Sequence, residues 1–356
     1  MKNYRLFTPG PIDIPEVVLR ATAQKCIYHR EEKFRWLLEE ISDYLKKLIR
    51  CSNRVYLLTS SGTGAMEAAA VNLLSSSDRV VVAVCGKFGE RWLELCKTYG
   101  FNPIVIRAEY GKSVGPEAIE NVLKDGPAVI FTTLTETSTG ALNDIKNFGA
   151  ITRRYDSYLV VDGVAGVGAD ECYLDDYQID VLVGASQKAL MAPPGISFVA
   201  LSKRAQEKIG KSDLPRYYFN LEAYERFLQN GQTPYTPAIT ILYGLKKGLQ
   251  MIMKTGIKNN FIKHKKMAEY VRDRIRKMGL ELLPENPSNA LTVIKMPPEI
   301  NSSDIIKKIK EDYGILFANG QGELKGKILR IGHMGNYNIA KLSRVINILE
   351  RYLKRR

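Results

Sequence analysis

The sequence predicts an α/β protein in which a mostly parallel sheet is covered by helices on both faces, with a smaller α+β domain after it. Three observations carry this reading. Strand-like and helix-like segments alternate between residues 54 and 201. The strand-like segments are near-continuous apolar runs, as expected of strands buried on both faces. After about residue 240 the texture changes to long helices with short strands between them.

The elements follow in order. Residues 33–50 carry a helical stripe of Phe34, Leu37, Leu38, Ile41, Leu45 and Leu48. "RVYLLTS" (54–60) is a strand and "GAMEAAAVNLL" (64–74) a helix; "RVVVAVC" (79–85) is a buried strand, followed by the helix "GERWLELCKTYG" (89–100). "NPIVIRA" is a strand, "GPEAIENVLK" a helix and "AVIFTTLTE" (128–136) a strand. A helix over 144–155 leads to the strand "SYLVVDG" (157–163), then to "DVLVGAS" and "GISFVAL", which makes seven strands in all. Helices over 239–253, 262–278 and 337–353, with short strands near 290–295 and 328–331, complete the chain. No internal repeat or low-complexity segment interrupts it.

Composition narrows the classes. A chain of 356 residues accommodates two domains. Hydrophobic residues make up 45% and charged residues 25%, an ordinary globular balance. No apolar run approaches the roughly 20 residues of a membrane span, and the start, "MKNYRLFTPGPIDIP", lacks the apolar core of a secretory signal. Cys26, Cys51, Cys85, Cys96 and Cys172 form no C-x-x-C pair and read as reduced thiols of a cytoplasmic protein. The three histidines, His29, His264 and His333, are too scattered for a zinc site. The net charge of +14 is spread along the chain and densest on C-terminal helical stretches such as 257–279, where lysines alternate with apolar residues; this is a solvated helix face, and a diffuse positive field also suits anionic small substrates. No zinc finger, RNA-recognition motif or basic helix-turn-helix supports a nucleic-acid partner.

In such sheets ligands bind beyond the carboxyl ends of the strands. Ser60, Ser61, Gly62, Thr63 and Gly64 follow the first strand and open a helix, either a plain tight turn or an anion cup of free amides. Phe88 follows the second, as a core aromatic or a ligand contact. Thr137, Ser138 and Thr139 follow "AVIFTTLTE" and could cap a turn or meet a polar ligand. Asp162 ends a buried strand, where a carboxylate needs a partner. Lys188 follows "DVLVGAS", and lysine is rarely buried unless paired or working. Each feature alone is ambiguous. Together, an anion cup, an aromatic, hydroxyls, an acid and a lysine at one sheet edge suit pyridoxal 5′-phosphate, with the lysine as Schiff-base partner and the acid on the ring nitrogen. Partial desolvation would lower the lysine pKa and make a neutral amine available.

These residues carry a resemblance. The chain resembles the class V pyridoxal-phosphate aminotransferases of fold type I, in particular the alanine–glyoxylate and serine–pyruvate or serine–glyoxylate group. The resemblance runs from "TPGPIDIP" through "SGTGAMEAAAVN", "CGKFGERW", "TSTGAL", "VVDGVAGVG" and "GASQKALMAPPG" to "LRIGHMG". It implies an N-terminal segment (1–20) packing near the active site, a large cofactor domain (21–240) and a small C-terminal domain (241–356). It implies Lys188 as the Schiff-base lysine and Asp162 as the partner of the ring nitrogen. Phe88 would stack on the ring, where many relatives have tryptophan, and Val164 would pack on the opposite face. Thr137 would sit near the phenolic oxygen. Ser61, Gly62, Thr63 and Gln187 would hold the phosphate, completed by Thr233 and Thr236 of a second subunit in a homodimer. Arg330 would grip the substrate carboxylate. Gly10, and His29 and Arg30 of "YHRE", would lie near the substrate entrance. The implied activity moves an amino group from alanine or serine to glyoxylate or pyruvate by ping-pong kinetics, with Lys188 as general base. Aspartate or phosphoserine as donor, with 2-oxoglutarate or pyruvate as acceptor, is the alternative. A cysteine desulfurase is disfavoured, since it needs a late loop cysteine and the last here is Cys172.

Overall fold

The computed structural model describes residues 4–354. The chain opens with β1 (Arg5–Leu6), α1 (Glu16–Thr22) and α2 (Glu32–Ile49). There follow β2 (Arg54–Leu58), α3 (Gly62–Leu73), β3 (Val80–Val84), α4 (Lys87–Thr98), β4 (Ile104–Arg107) and α5 (Pro116–Leu123). Next come β5 (Val129–Thr133), the short β6 (Thr135–Glu136) and β7 (Ala141–Leu142), α6 (Ile145–Arg154), β8 (Tyr158–Asp162), β9 (Val181–Ala185) and β10 (Ser197–Leu201). α7 (Lys203–Ile209), α8 (Leu221–Leu228), α9 (Ile239–Thr255) and α10 (Ile257–Lys277) lead to β11 (Leu291–Lys295), α11 (Ser302–Tyr313), β12 (Ile315–Leu316), β13 (Ala318–Asn319), β14 (Ile328–Gly332) and α12 (Ile339–Lys354).

Seven strands form the central sheet in the order β2-β10-β9-β8-β5-β3-β4. β10 is antiparallel to both its neighbours, and the other pairings are parallel. Two successive antiparallel pairings leave β2 pointing the same way as β9. The carboxyl ends of β2, β3, β5, β8 and β9 therefore share one edge. Successive residues of β3 serve opposite faces: Val81 and Ala83 enter one core, and Val80, Val82 and Val84 the other. This is why these strands read as unbroken apolar runs. α2, α5 and α6 cover the first face, and α3, α4 and α8 the second.

A third core forms around the small sheet β11-β14-β13, from Met267 and Val271 of α10, Ile305 and Ile309 of α11, and Leu342, Val345 and Ile346 of α12. Phe7 joins it, because β1 pairs in parallel with β12. Leu242, Leu245 and Leu249 of α9 pack in the first core instead, so the helix expected to begin the small domain lies on the large one. The helix expected from residue 262 starts earlier, at Ile257, directly after Gly256, whose φ of +82° ends α9.

Candidate active site

The common edge gathers the predicted residues around one cavity. Ser61, Gly62, Thr63, Phe88, Thr137, Asp162, Val164, Gln187 and Lys188 all line it, with Met66, Arg91, Thr135 and Ala165. Larger clefts occur elsewhere, about 580 Å³ beside Lys146 and Lys265 and about 880 Å³ beside Arg5 and Arg344. Those clefts do not bring a buried acid and a buried lysine together.

Lys188 is only 9% exposed, on the turn after β9. Its Nζ donates to the Pro9 carbonyl at 2.7 Å. Burial pushes its pKa from 10.5 down to about 8; the Arg330 and Arg91 guanidiniums add to this, and Asp162 opposes it. At pH 8 about half of such amines are neutral, against roughly 0.3% of ordinary lysines. Gly10 sits directly over it with φ +129°, and a Cβ there would collide with Lys188 Nζ. The N-terminal segment thus roofs the lysine, and only glycine fits that approach.

Asp162 ends β8 and is 5% exposed. Burial, reinforced by Glu136, raises its pKa from 3.8 to about 6; the Val164 amide, Lys188 and Arg91 hold it back. Val164 N donates to Asp162 Oδ1 at 2.8 Å, which fixes the turn that carries Val164. Gly62 faces Val164 so closely that a Cβ on Gly62 would lie 2.7 Å from Val164 Cγ2. Gly62 is therefore required by packing, and its neighbours open the cup: Ser61 caps α3 by accepting from Gly64 N at 3.3 Å.

Arg330, on β14, is 7% exposed. Its Nε donates to the Asn319 carbonyl at 2.8 Å and its Nη1 to the Thr137 carbonyl at 3.0 Å. Burial lowers its pKa to about 10, so it stays cationic, and among the described residues it forms no ion pair. A buried, unpaired guanidinium with free donors suits a carboxylate ligand.

The segment expected to serve a second subunit does not line this cavity in its own chain. Thr233 is buried, with Oγ1 donating to the Tyr235 carbonyl at 2.8 Å. Thr236 is exposed and meets His29 Nε2 at 3.4 Å. Arg30 donates to Gln232 Oε1 and the Thr233 carbonyl, both at 2.8 Å, and to the Pro234 carbonyl at 3.3 Å. Its guanidinium also covers the Phe227 ring at 5.0 Å. His29 and Arg30 thus brace residues 232–236.

Two residues at the site are not singled out by the sequence. Glu136 is fully buried behind the cavity. Its Oε2 accepts from Phe88 N (2.9 Å) and Gly89 N (3.1 Å), and its Oε1 from Ser138 N (3.0 Å) and Ser138 Oγ (2.6 Å). Ser138 Oγ in turn accepts from Lys87 N at 3.0 Å. Gly86, which precedes α4, brings no side-chain cap, so Glu136 and Ser138 cap the helix that carries Phe88 from another strand. The available signal was a carboxylate at an apolar strand end, as at Asp162. The second is Arg91, one helical turn beyond Phe88 and so on the same face.

The residues present fit pyridoxal phosphate. The acid and lysine are buried at one cavity, and the Gln187 Oε1 there is buried without a partner. That orphaned amide sits where a polar ligand would satisfy it. Fold and site together define a pyridoxal-phosphate-dependent enzyme of fold type I.

Comparison with known proteins sharpens this. The family described as "Aminotransferase class-V" matches residues 17–339. An L-aspartate–glyoxylate aminotransferase of Paracoccus denitrificans is 32% identical over 345 residues, covering 93% of this chain and 86% of its own. A serine–glyoxylate aminotransferase of Arabidopsis thaliana is 31% identical over 363 residues, covering 99% and 90%. The crystal structure of an alanine–glyoxylate aminotransferase from Nostoc sp. superposes with a TM-score of 0.95 at 28% identity, covering 99% of this chain and 96% of that one. The chain belongs to the class V aminotransferases and is a pyridoxal-phosphate-dependent transaminase.

Proposed function

We propose that the enzyme transfers the amino group of alanine or serine to glyoxylate or pyruvate. The observation that carries this reading is the division of labour among arginines. Arg330 is buried, unpaired and aimed at the site through Thr137, whereas Arg30 has its donors committed to residues 232–234. The other guanidinium at the cavity, Arg91, donates to Thr63 of the cup, which leaves Arg330 for the substrate and matches a donor with one carboxylate. Aspartate or phosphoserine, the second reading, is supported by the relative that acts on aspartate, but a second anionic group would need Arg30 released from its three acceptors.

The roles we assign rest on which residues line the cavity. Bound pyridoxal phosphate supplies an aldehyde that condenses with amines and a ring that takes up the electron pair left on the substrate carbon. Lys188 holds the cofactor and, once free, moves a proton from the substrate α-carbon through its neutral Nζ. Asp162 would keep a negative charge beside the ring nitrogen. Phe88 and Val164 would bound the ring faces, Thr137 would offer a hydroxyl, and Ser61, Gly62, Thr63 and Gln187 would supply phosphate donors. Gly10 closes the roof without a side chain.

The enzyme is proposed to be a cytoplasmic homodimer. The exposure of Thr236, which does not line the cavity of its own chain, supports delivery of Thr236 to a partner's phosphate site, with Thr233 beside it on the same segment. The free cysteines support a reducing compartment. Among the described residues no helix is long and apolar enough to cross a membrane.

The test mixes purified holoenzyme with single amino acids in the absence of acceptor and follows the cofactor's visible band. Alanine or serine should abolish the band, and aspartate should not. Lys188→Ala should slow this conversion by at least about 10⁴-fold. Conversion by aspartate alone would replace the first reading with the second.

A further inference from the structure

The phosphate cup described above consists of neutral donors, yet a phosphate monoester carries about −1.5 to −2 charges near neutral pH. Such an anion is best held where a cation joins the amides. The cavity lining contains one guanidinium, Arg91. Its Nη1 donates to Thr63 Oγ1, a cup residue, at 3.1 Å. Its guanidinium carbon lies 4.6 Å from the centroid of the Phe88 ring. Among the described residues it forms no ion pair, although its neighbours do: Glu90 pairs with Arg107.

The placement of Arg91 is fixed by its helix. Trp92 points into the second core, fully buried, with its indole donating to the Thr132 carbonyl at 3.1 Å. Gly89 lets α4 press onto β3, where a Cβ would lie 2.8 Å from Val84 Cα. Glu136 and Ser138 fix the first turn. Arg91, the residue before Trp92, lines the cavity.

We propose that Arg91 is the cationic ligand of the cofactor's phosphate, reaching it beside Thr63. This rests on reading the cavity as the pyridoxal-phosphate site. Such a role also divides the charges of the site: Arg91 serves the cup, and Lys188 and Arg330 serve the reacting end.

Binding of pyridoxal phosphate and of pyridoxal, which lacks the phosphate, to apoenzyme tests this without turnover. Absorbance titration reads both affinities. Arg91→Gln should weaken pyridoxal phosphate by about 10- to 100-fold, the loss of one charged hydrogen-bonded contact. It should change pyridoxal by less than about threefold, and inorganic phosphate should no longer compete. Equal weakening of both ligands would make Arg91 a brace for Phe88 only and overturn the proposal, as would unchanged pyridoxal phosphate affinity. If Arg91→Gln does not fold, Arg91→Lys, which keeps the charge and loses the fork, is read by the same ratio of affinities. Failure of the parent apoenzyme to bind pyridoxal phosphate would instead sink the reading of the cavity itself.

Discussion

Asp162 and Asp170 are both buried carboxylates, eight residues apart on one connection, yet their surroundings differ. Asp170 is saturated: Thr135 Oγ1 donates at 3.0 Å, Ser288 Oγ donates, and Asn289 N donates at 2.9 Å. Ser288 and Asn289 precede β11, so this carboxylate ties the chain after β8 to the chain entering the small sheet. Arg272 reinforces the tie by donating to the Pro287 and Ser288 carbonyls. Asp162 accepts a single hydrogen bond, from Val164, and lines the cavity. A buried charge left short of donors costs stability unless a ligand completes it. The contrast separates a structural acid from a working one by counting donors.

Asparagine substitutions should split the pair. Asp162→Asn should cut turnover by about 10²- to 10³-fold, as expected when a charge aimed at the reacting group is lost. Asp170→Asn should leave the chemistry nearly intact and lower stability by about 1–3 kcal/mol, because its amide must face hydroxyl donors. Steady-state kinetics alongside urea unfolding would check both. Comparable activity losses in the two variants would break the distinction.

The sequence shows these two acids unequally, for a physical reason. Asp162 stands out because it terminates an apolar run, and Lys188 and Gly62 stand out the same way; all of these lie within a few residues of a strand end. Thr137 and Phe88 become legible once the strand ends are known to share an edge. Asp170 and Glu136 depend on donors far along the chain, 118 residues for Ser288 and 48 for Phe88, which no local pattern reveals. Arg30 invites a role at the substrate, since its three acceptors lie about 200 residues away. Fold class is legible because both sheet faces are buried. The two-residue strands β1, β12 and β13 are too short to show a period, and the pairing of β1 with β12 docks the N-terminal segment over the lysine.

Glu136 extends the comparison as a saturated acid that serves a working element. Burial pushes its carboxyl up, and the Ser138, Gly89 and Phe88 donors resist. In Glu136→Gln one face of the side chain becomes a donor and meets either the Phe88 and Gly89 amides or the Ser138 amide. We expect a loss of about 1–3 kcal/mol in apoenzyme stability. Because Phe88 loses its anchor, cofactor affinity should also fall by about three- to tenfold. Ser138→Ala, which removes one donor and the Lys87 cap, should show a smaller loss of both. A Glu136→Gln enzyme with parental cofactor affinity would confine the residue to stability.

The pH dependence of apoenzyme stability gives the smallest signal and the most direct view of an unsatisfied charge. Asp162 titrates near pH 6 when folded and near 3.8 as an ordinary carboxyl. Between those values the folded chain keeps a proton that the unfolded chain has released, so stability falls as pH rises and the full cost stands above pH 6. Lys188 behaves in the opposite sense at the alkaline end. Its folded pKa of about 8 lies below 10.5, so stability rises with pH across that window. Asp162→Asn should therefore match the parent apoenzyme near pH 4 and exceed it by about 1–3 kcal/mol at pH 7. Lys188→Met should exceed it below pH 8 and lose the advantage toward pH 10.5. Urea melts at four pH values resolve both slopes. A parent-minus-variant difference that does not vary with pH would mean that donors other than Val164 already satisfy Asp162, and the distinction from Asp170 would collapse.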